Sequence, residues 1–156
     1  KLIGKYMEIV QYESFRNAKE ILQEKNHYQE ILSVINNDDL NIQALNHTDS
    51  KSIIIESFLE KGWAYHPSVF QNMLSYMDII HDKSLIHIQF GHNAQLYFNV
   101  LCASTMFNNE LIDVATFIVP GGSYSHGNRV KFNKFIQQYE SFEQFLLVPL
   151  MVLEVK

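Results

Sequence analysis

The run MDIIHDKSLIHIQF, from Met77 to Phe90, sets the frame for the rest of the chain. Its ends are rich in β-branched and apolar residues, and His81-Asp82-Lys83 between them is a tight polar turn. Two strands, Met73 to Ile80 and Leu85 to Phe90, are expected on either side of that turn. On a strand, residues two apart share a face. His87 and Gln89 therefore project together, with Ile86 and Ile88 on the opposite, buried face. Asp78 precedes His87 by nine residues, and antiparallel pairing brings it to the same edge.

Downstream, Asn93 to Phe107 reads as a helix with a mostly apolar surface, as expected of one packed on a sheet. LIDVATFIV, Leu111 to Val119, is nearly all apolar and β-prone, the pattern of a strand covered on both faces. Pro120-Gly121-Gly122 ends it. Arg129 to Tyr139 is an amphipathic helix, and Phe145 to Val155 a last strand, with Pro149 favouring an edge or a bulge. Upstream, Lys5 to Tyr12 reads as a strand, Ser14 to Leu22 and Asn26 to Asn36 as helices, and Asn36 to Asp39 as a polar break. Ser50 to Lys61 forms a further helix, capped by Asp49 or Ser50 and closed at Gly62. Trp63 to Gln71 is ambiguous. The order predicts a mixed sheet flanked by helices, an α/β sandwich in a single domain spanning residues 1–156.

Composition agrees. With 47% hydrophobic and 19% charged residues, 156 residues fill one core. No apolar run reaches the roughly 18 residues of a membrane span, and the first residues lack the pattern of a signal peptide. One cysteine, Cys102, excludes an internal disulfide and a cysteine zinc cluster, and on an apolar helix it reads as a core residue. The expected compartment is the cytoplasm. The net charge of −5 argues against a general basic surface. It is uneven, however: residues 1–82 hold 12 acids and 7 bases, residues 83–156 five of each. Five of seven histidines fall between His66 and His126, so an anion site belongs in the second half.

An aspartate beside a pair of polar residues at i and i+2 on the next strand can hold a divalent cation against a phosphate. The carboxylate binds a hard ion, which polarises the phosphoryl oxygen and activates water. A solvent-facing strand edge accounts for the same residue types. Asp82 reads as a turn former, and Glu56 and Glu60 as solvated helix charges, although either could add a ligand. Asp113, in an apolar strand, is expected to be capped by backbone donors or paired with a cation.

Asp78, Gln89, Phe90, Gly91, Ile112, Asp113, Val114 and Pro120 stand at the spacing of a known pattern. In these residues the chain resembles the BglII/BstYI group of type II restriction endonucleases, relatives of BamHI in the PD-(D/E)xK superfamily. YMEIVQYESFRNAKEIL resembles the group's first strand and helix, ESFLEKGW its second helix and tryptophan (Trp63), and FLLVPLMVL its last strand. The resemblance implies a restriction-endonuclease-like core, with a central mixed β-sheet flanked by α-helices. It implies metal-dependent hydrolysis of double-stranded DNA at a short palindrome by a homodimer. Asp78, His87 and Gln89 would be the catalytic positions, with Asp78 and His87 as ligands of Mg²⁺ or Mn²⁺. The implied DNA contacts are His92 and Asn93, and, after the Pro120 strand, Asn128, Arg129 and Lys131. There Asn128-Arg129-Val130 resembles a base-reading segment of BamHI. Arginine suits a guanine edge and asparagine an adenine edge. Lys131 and Lys134 suit phosphates, with Tyr124, Ser125 and His126 as supporting contacts.

Two departures stand out. The group's catalytic glutamate is His87 here, which removes one of two carboxylates, and imidazole suits softer ions than Mg²⁺. Three outcomes stay open: a metal such as Mn²⁺ held by Asp78 and His87, His87 acting as a general base, or loss of cleavage. Only 14 residues lie between Trp63 and Asp78, fewer than in the group, so a DNA-embracing segment is expected to be missing. With two arginines in the chain, Arg16 and Arg129, base-reading donors are few. The alternatives are a DNA-binding relative that no longer cuts, or a non-DNA interaction protein on the same scaffold.

Overall fold

The computed structural model describes residues 7–36, 47–70, 73–122 and 127–156. In chain order these form β1 (Ile9–Phe15), α1 (Ala18–Glu24), α2 (His27–Ile35), α3 (His47–Leu59), β2 (Ala64–Tyr65), β3 (Ser68–Phe70), β4 (Met73–Tyr76), β5 (Ile79–His81) and β6 (Ser84–Ile88). Then come α4 (Asn93–Asn108), β7 (Val114–Pro120), α5 (Phe132–Phe142) and β8 (Leu150–Val155). A six-stranded sheet runs β1-β8-β7-β6-β5-β2, and β3 and β4 form a separate hairpin. β6, β7 and β8 are parallel neighbours, and the outer pairings are antiparallel.

The expected mixed sheet flanked by helices is what forms, and strand alternation explains its layers. Val114 and Ile118 of β7 face Leu22, Ile31 and Phe58 on the α1–α3 side. Ala115, Phe117 and Val119 face Leu96, Val100 and Phe135 on the α4–α5 side. A strand covered on both faces must be apolar throughout. Among the described residues, no helix is long and apolar enough to cross a membrane.

Several expected boundaries move. The start of the Lys5 strand lies outside the described residues. β1 continues to Phe15, because Ser14 and Phe15 pair with Met151 and Leu150. Ser14 Oγ instead accepts the Lys19 N–H at 3.0 Å, so α1 begins at Ala18 rather than Ser14. α3 starts at His47, ahead of the expected cap, and ends at Leu59, two residues short of the expected Lys61; Gly62, whose φ of +91° suits glycine, closes the turn that follows. The ambiguous stretch from Trp63 resolves into β2 and β3, and its last residue, Gln71, lies outside the described residues. The final strand begins at Leu150 and is interior, not an edge. Pro149 precedes it, has no N–H to give, and accepts the Ala115 N–H at 2.9 Å. α5 starts at Phe132, leaving Arg129 to bridge His92. Asp113 precedes β7, half exposed, and takes the expected cation, Lys25, at 3.0 Å.

The expected strand Met73 to Ile80 is broken in two. β4 turns away to pair with β3, and only β5 joins the main sheet. The break falls at Met77 and Asp78. There the Asp78 carboxylate, in place of a backbone carbonyl, accepts the Ile88 N–H at 2.7 Å.

Candidate functional site

The β5–β6 turn fixes the site. Asp82 and Lys83 have φ of 41° and 58°, the left-handed pair of a two-residue hairpin. Ile79 is thereby opposite Ile86, which sets Asp78 across from His87. The spacing of nine residues thus becomes contact.

Asp78 is buried and triply engaged. Oδ1 lies 2.8 Å from Lys51 Nζ, and Oδ2 takes the Ile88 N–H and lies 3.0 Å from His87 Nδ1. Burial pushes its pKa up. The His87 ring nitrogen beside it, then the Lys51 ammonium, outweigh that and hold it at about 2. The His87 Nδ1 contact is out of line for a hydrogen bond, so the two groups attract electrostatically and leave Nδ1 a buried atom without an in-line partner.

His87 and Gln89 do share a face, but that face is also buried, under α4, and is no open strand edge. Every residue of β6 is buried, and the His87 ring meets Phe117 edge-on at 5.5 Å. Asn99 of α4 reaches both polar groups. Its Nδ2 is 2.6 Å from His87 Nε2 and 2.8 Å from Gln89 Oε1. One amide nitrogen carries two hydrogens, so Asn99 satisfies both acceptors. That arrangement leaves the ring proton on Nδ1, toward Asp78. Gln89 Nε2 donates to the His92 carbonyl at 3.3 Å.

These groups open onto a groove of about 560 Å³, lined also by Thr48, Tyr76, Gln95 and Arg129. Beside it, sharing His92 and Arg129, is a pocket of about 270 Å³ lined by Asn93, Asn128, Lys131 and Lys134. The two walls are stitched by the His92–Arg129 bridge and by the Asn93 N–H to the Asn128 carbonyl at 2.9 Å. Every residue singled out for DNA contact and described here is therefore adjacent to the candidate catalytic set. Tyr124, Ser125 and His126 lie outside the described residues. Asp82 does not join them; it pairs with Lys25 on the surface at 3.3 Å. Glu56 and Glu60 are exposed and line neither cavity.

Lys51 and Asn99 escaped the sequence reading. The signal was present: Lys51 falls on the buried stripe that continues through Ile54, Ile55 and Phe58, and Asn99 interrupts the apolar face of Leu96, Val100 and Ala103.

Among the described residues, no group of three His, Cys, Asp or Glu side chains could hold a metal. The donors do not fit an all-oxygen Mg²⁺ site with two carboxylates. One carboxylate fits a single borderline ion such as Mn²⁺, and His87 Nδ1 can join it only once the ring proton has moved to Nε2, which lies 3.1 Å from Gln89 Oε1.

Residues 10–154 match the family described as restriction endonuclease BglII/BglIII. Among solved structures, the crystal structure of restriction endonuclease BglII complexed with a DNA 16-mer is similar, with a TM-score of 0.72 at 15% identity. The match covers 96% of this chain and 76% of that one. No curated protein matches.

Proposed function

Because this chain belongs to the BglII/BglIII restriction endonuclease family and has its fold, we propose that it hydrolyses phosphodiester bonds of double-stranded DNA at a short palindrome, as a metal-dependent homodimer. The observation that carries this reading is one continuous surface. The Asp78–His87–Gln89 set opens directly beside a pocket holding Arg129, Lys131 and Lys134. A phosphate held by the lysines would lie next to the only buried carboxylate among the described residues.

Asp78 and His87, its ring proton shifted from Nδ1 to Nε2 toward Gln89 Oε1, would hold the ion, which when bound supplies charge to the phosphoryl oxygen and acidifies water. Gln89, fixed by Asn99 and by the His92 carbonyl, orients polar groups at the scissile phosphate. Arg129 is suited to a guanine edge and Asn93 and Asn128 to adenine edges. Lys131 and Lys134 contact phosphates and set register. The two-fold partner docks on the α4–α5 face. There Leu101 and Phe145 are 59% and 73% exposed beside an apolar pocket of about 490 Å³.

The test is incubation with plasmid and genomic DNA in Mg²⁺ and then Mn²⁺. Discrete fragments with Mn²⁺ that vanish in Asp78→Ala support the reading. His87→Glu should bring Mg²⁺-supported cutting up at least about tenfold by restoring an oxygen ligand. A second reading, a relative that binds DNA without cutting, is favoured by the single carboxylate with Lys51 already upon it. Salt-sensitive binding with no cleavage in either metal, by wild type and by His87→Glu, would favour that reading. No DNA binding at all would exclude both.

A further inference from the structure

Asp78 has two oxygens, and both are occupied. Oδ2 is tied to the backbone through the Ile88 N–H at 2.7 Å. Oδ1 is the freer one, and Lys51 Nζ sits on it at 2.8 Å. Resting on the reading of Asp78 and His87 as the metal seat, we infer that the Lys51 ammonium is a resident cation of this site, which a divalent ion must displace from Asp78 to bind.

Helix register makes this contact specific. Lys51 lies on α3 three and four residues before the buried Ile54 and Ile55 and seven before the buried Phe58, so it points inward with that stripe. Its side chain is 33% exposed, against 8% for Asp78, so the ion pair spans the rim of the groove and its floor. A surface lysine with a free choice of partners would not be held this way.

Charge counting gives the consequence. Asp78 and Lys51 together sum to zero. A protonated lysine has three donors and no lone pair, so it cannot share the ligand shell and can only compete for the carboxylate. A divalent ion entering beside it meets like charge at short range in a half-buried groove, where repulsion is weakly screened. His87 brings no negative charge by which to recruit the ion. The site is therefore neutral at rest, and its metal affinity is set by how readily Lys51 leaves.

Titration of the purified protein with Mn²⁺ alone, without DNA, followed by the electron paramagnetic resonance signal of free Mn²⁺, tests this. Lys51→Met removes the charge and keeps the stem, and should bind Mn²⁺ roughly ten- to a hundredfold more tightly than wild type. Lys51→Arg keeps the charge and should not. The gain should vanish when Asp78→Asn is added. Lys51→Gln replaces the methionine variant if thermal melting shows that variant unfolded. A neutral Lys51 variant that folds and binds no more tightly than wild type overturns the inference, as does a gain that survives loss of Asp78. In the first case His87→Glu, with Lys51 intact, separates the causes. Mn²⁺ binding by that variant leaves the seat standing and removes only the role of Lys51. No binding by either variant removes the seat as well.

Discussion

Asp78 and His87 face each other across an antiparallel pair, with Oδ2 of one 3.0 Å from Nδ1 of the other. A two-residue turn and equal strand arms put them there. The carboxylate also closes the strand break by taking the Ile88 N–H, so one side chain is at once a structural acceptor and the centre of the site.

That double role makes stability pH-dependent. The Asp78 pKa is depressed from 3.8 to about 2 in the folded chain. The unfolded state thus binds the proton more readily, and the stabilisation is complete above the ordinary value and lost as pH falls toward 2. Urea unfolding from pH 5 to pH 2 should show wild type losing on the order of 2 kcal/mol more than Asp78→Asn. Parallel curves would refute it.

Arg129 and the lysines beside it should act differently on DNA. Arg129→Ala should cost about 1–3 kcal/mol of binding and relax preference at one base position. Lys131→Gln and Lys134→Gln should each weaken binding to all sequences alike and lower the salt slope by about 1. Fluorescence anisotropy at several salt concentrations checks both.

The apolar α4–α5 face should hold the dimer. Leu101→Glu and Phe145→Glu place charge where exposed apolar side chains would be buried against a twin. Sedimentation velocity should report a dimer for wild type and monomers for these variants, with helical content unchanged. Monomeric wild type would count against the dimer.

One buried hydroxyl offers a gain. Thr116 on β7 is fully buried, and its Oγ1 has no hydrogen-bond partner among the described residues. Thr116→Val keeps the shape and removes the desolvated group, so it should raise stability by about 1 kcal/mol in chemical denaturation. A loss of stability would mean that the hydroxyl is satisfied.

Local pattern carried much of this in the sequence. The doubly apolar run of β7 had to be an interior strand. The polar turn between two β-prone runs had to be a hairpin, and a nine-residue interval across it brought Asp78 to His87. Tertiary structure alone decided the rest, because it depends on which segments meet. β4 and β5 read as one strand until β3 supplied a competing partner. Pro149 looked like an edge marker until β7 used its carbonyl. Lys51 and Asn99 sit 27 residues before Asp78 and 12 residues after His87. No periodicity links them to the hairpin; only the packing of α3 and α4 over the end of the sheet brings an ammonium and an amide onto the same buried pair.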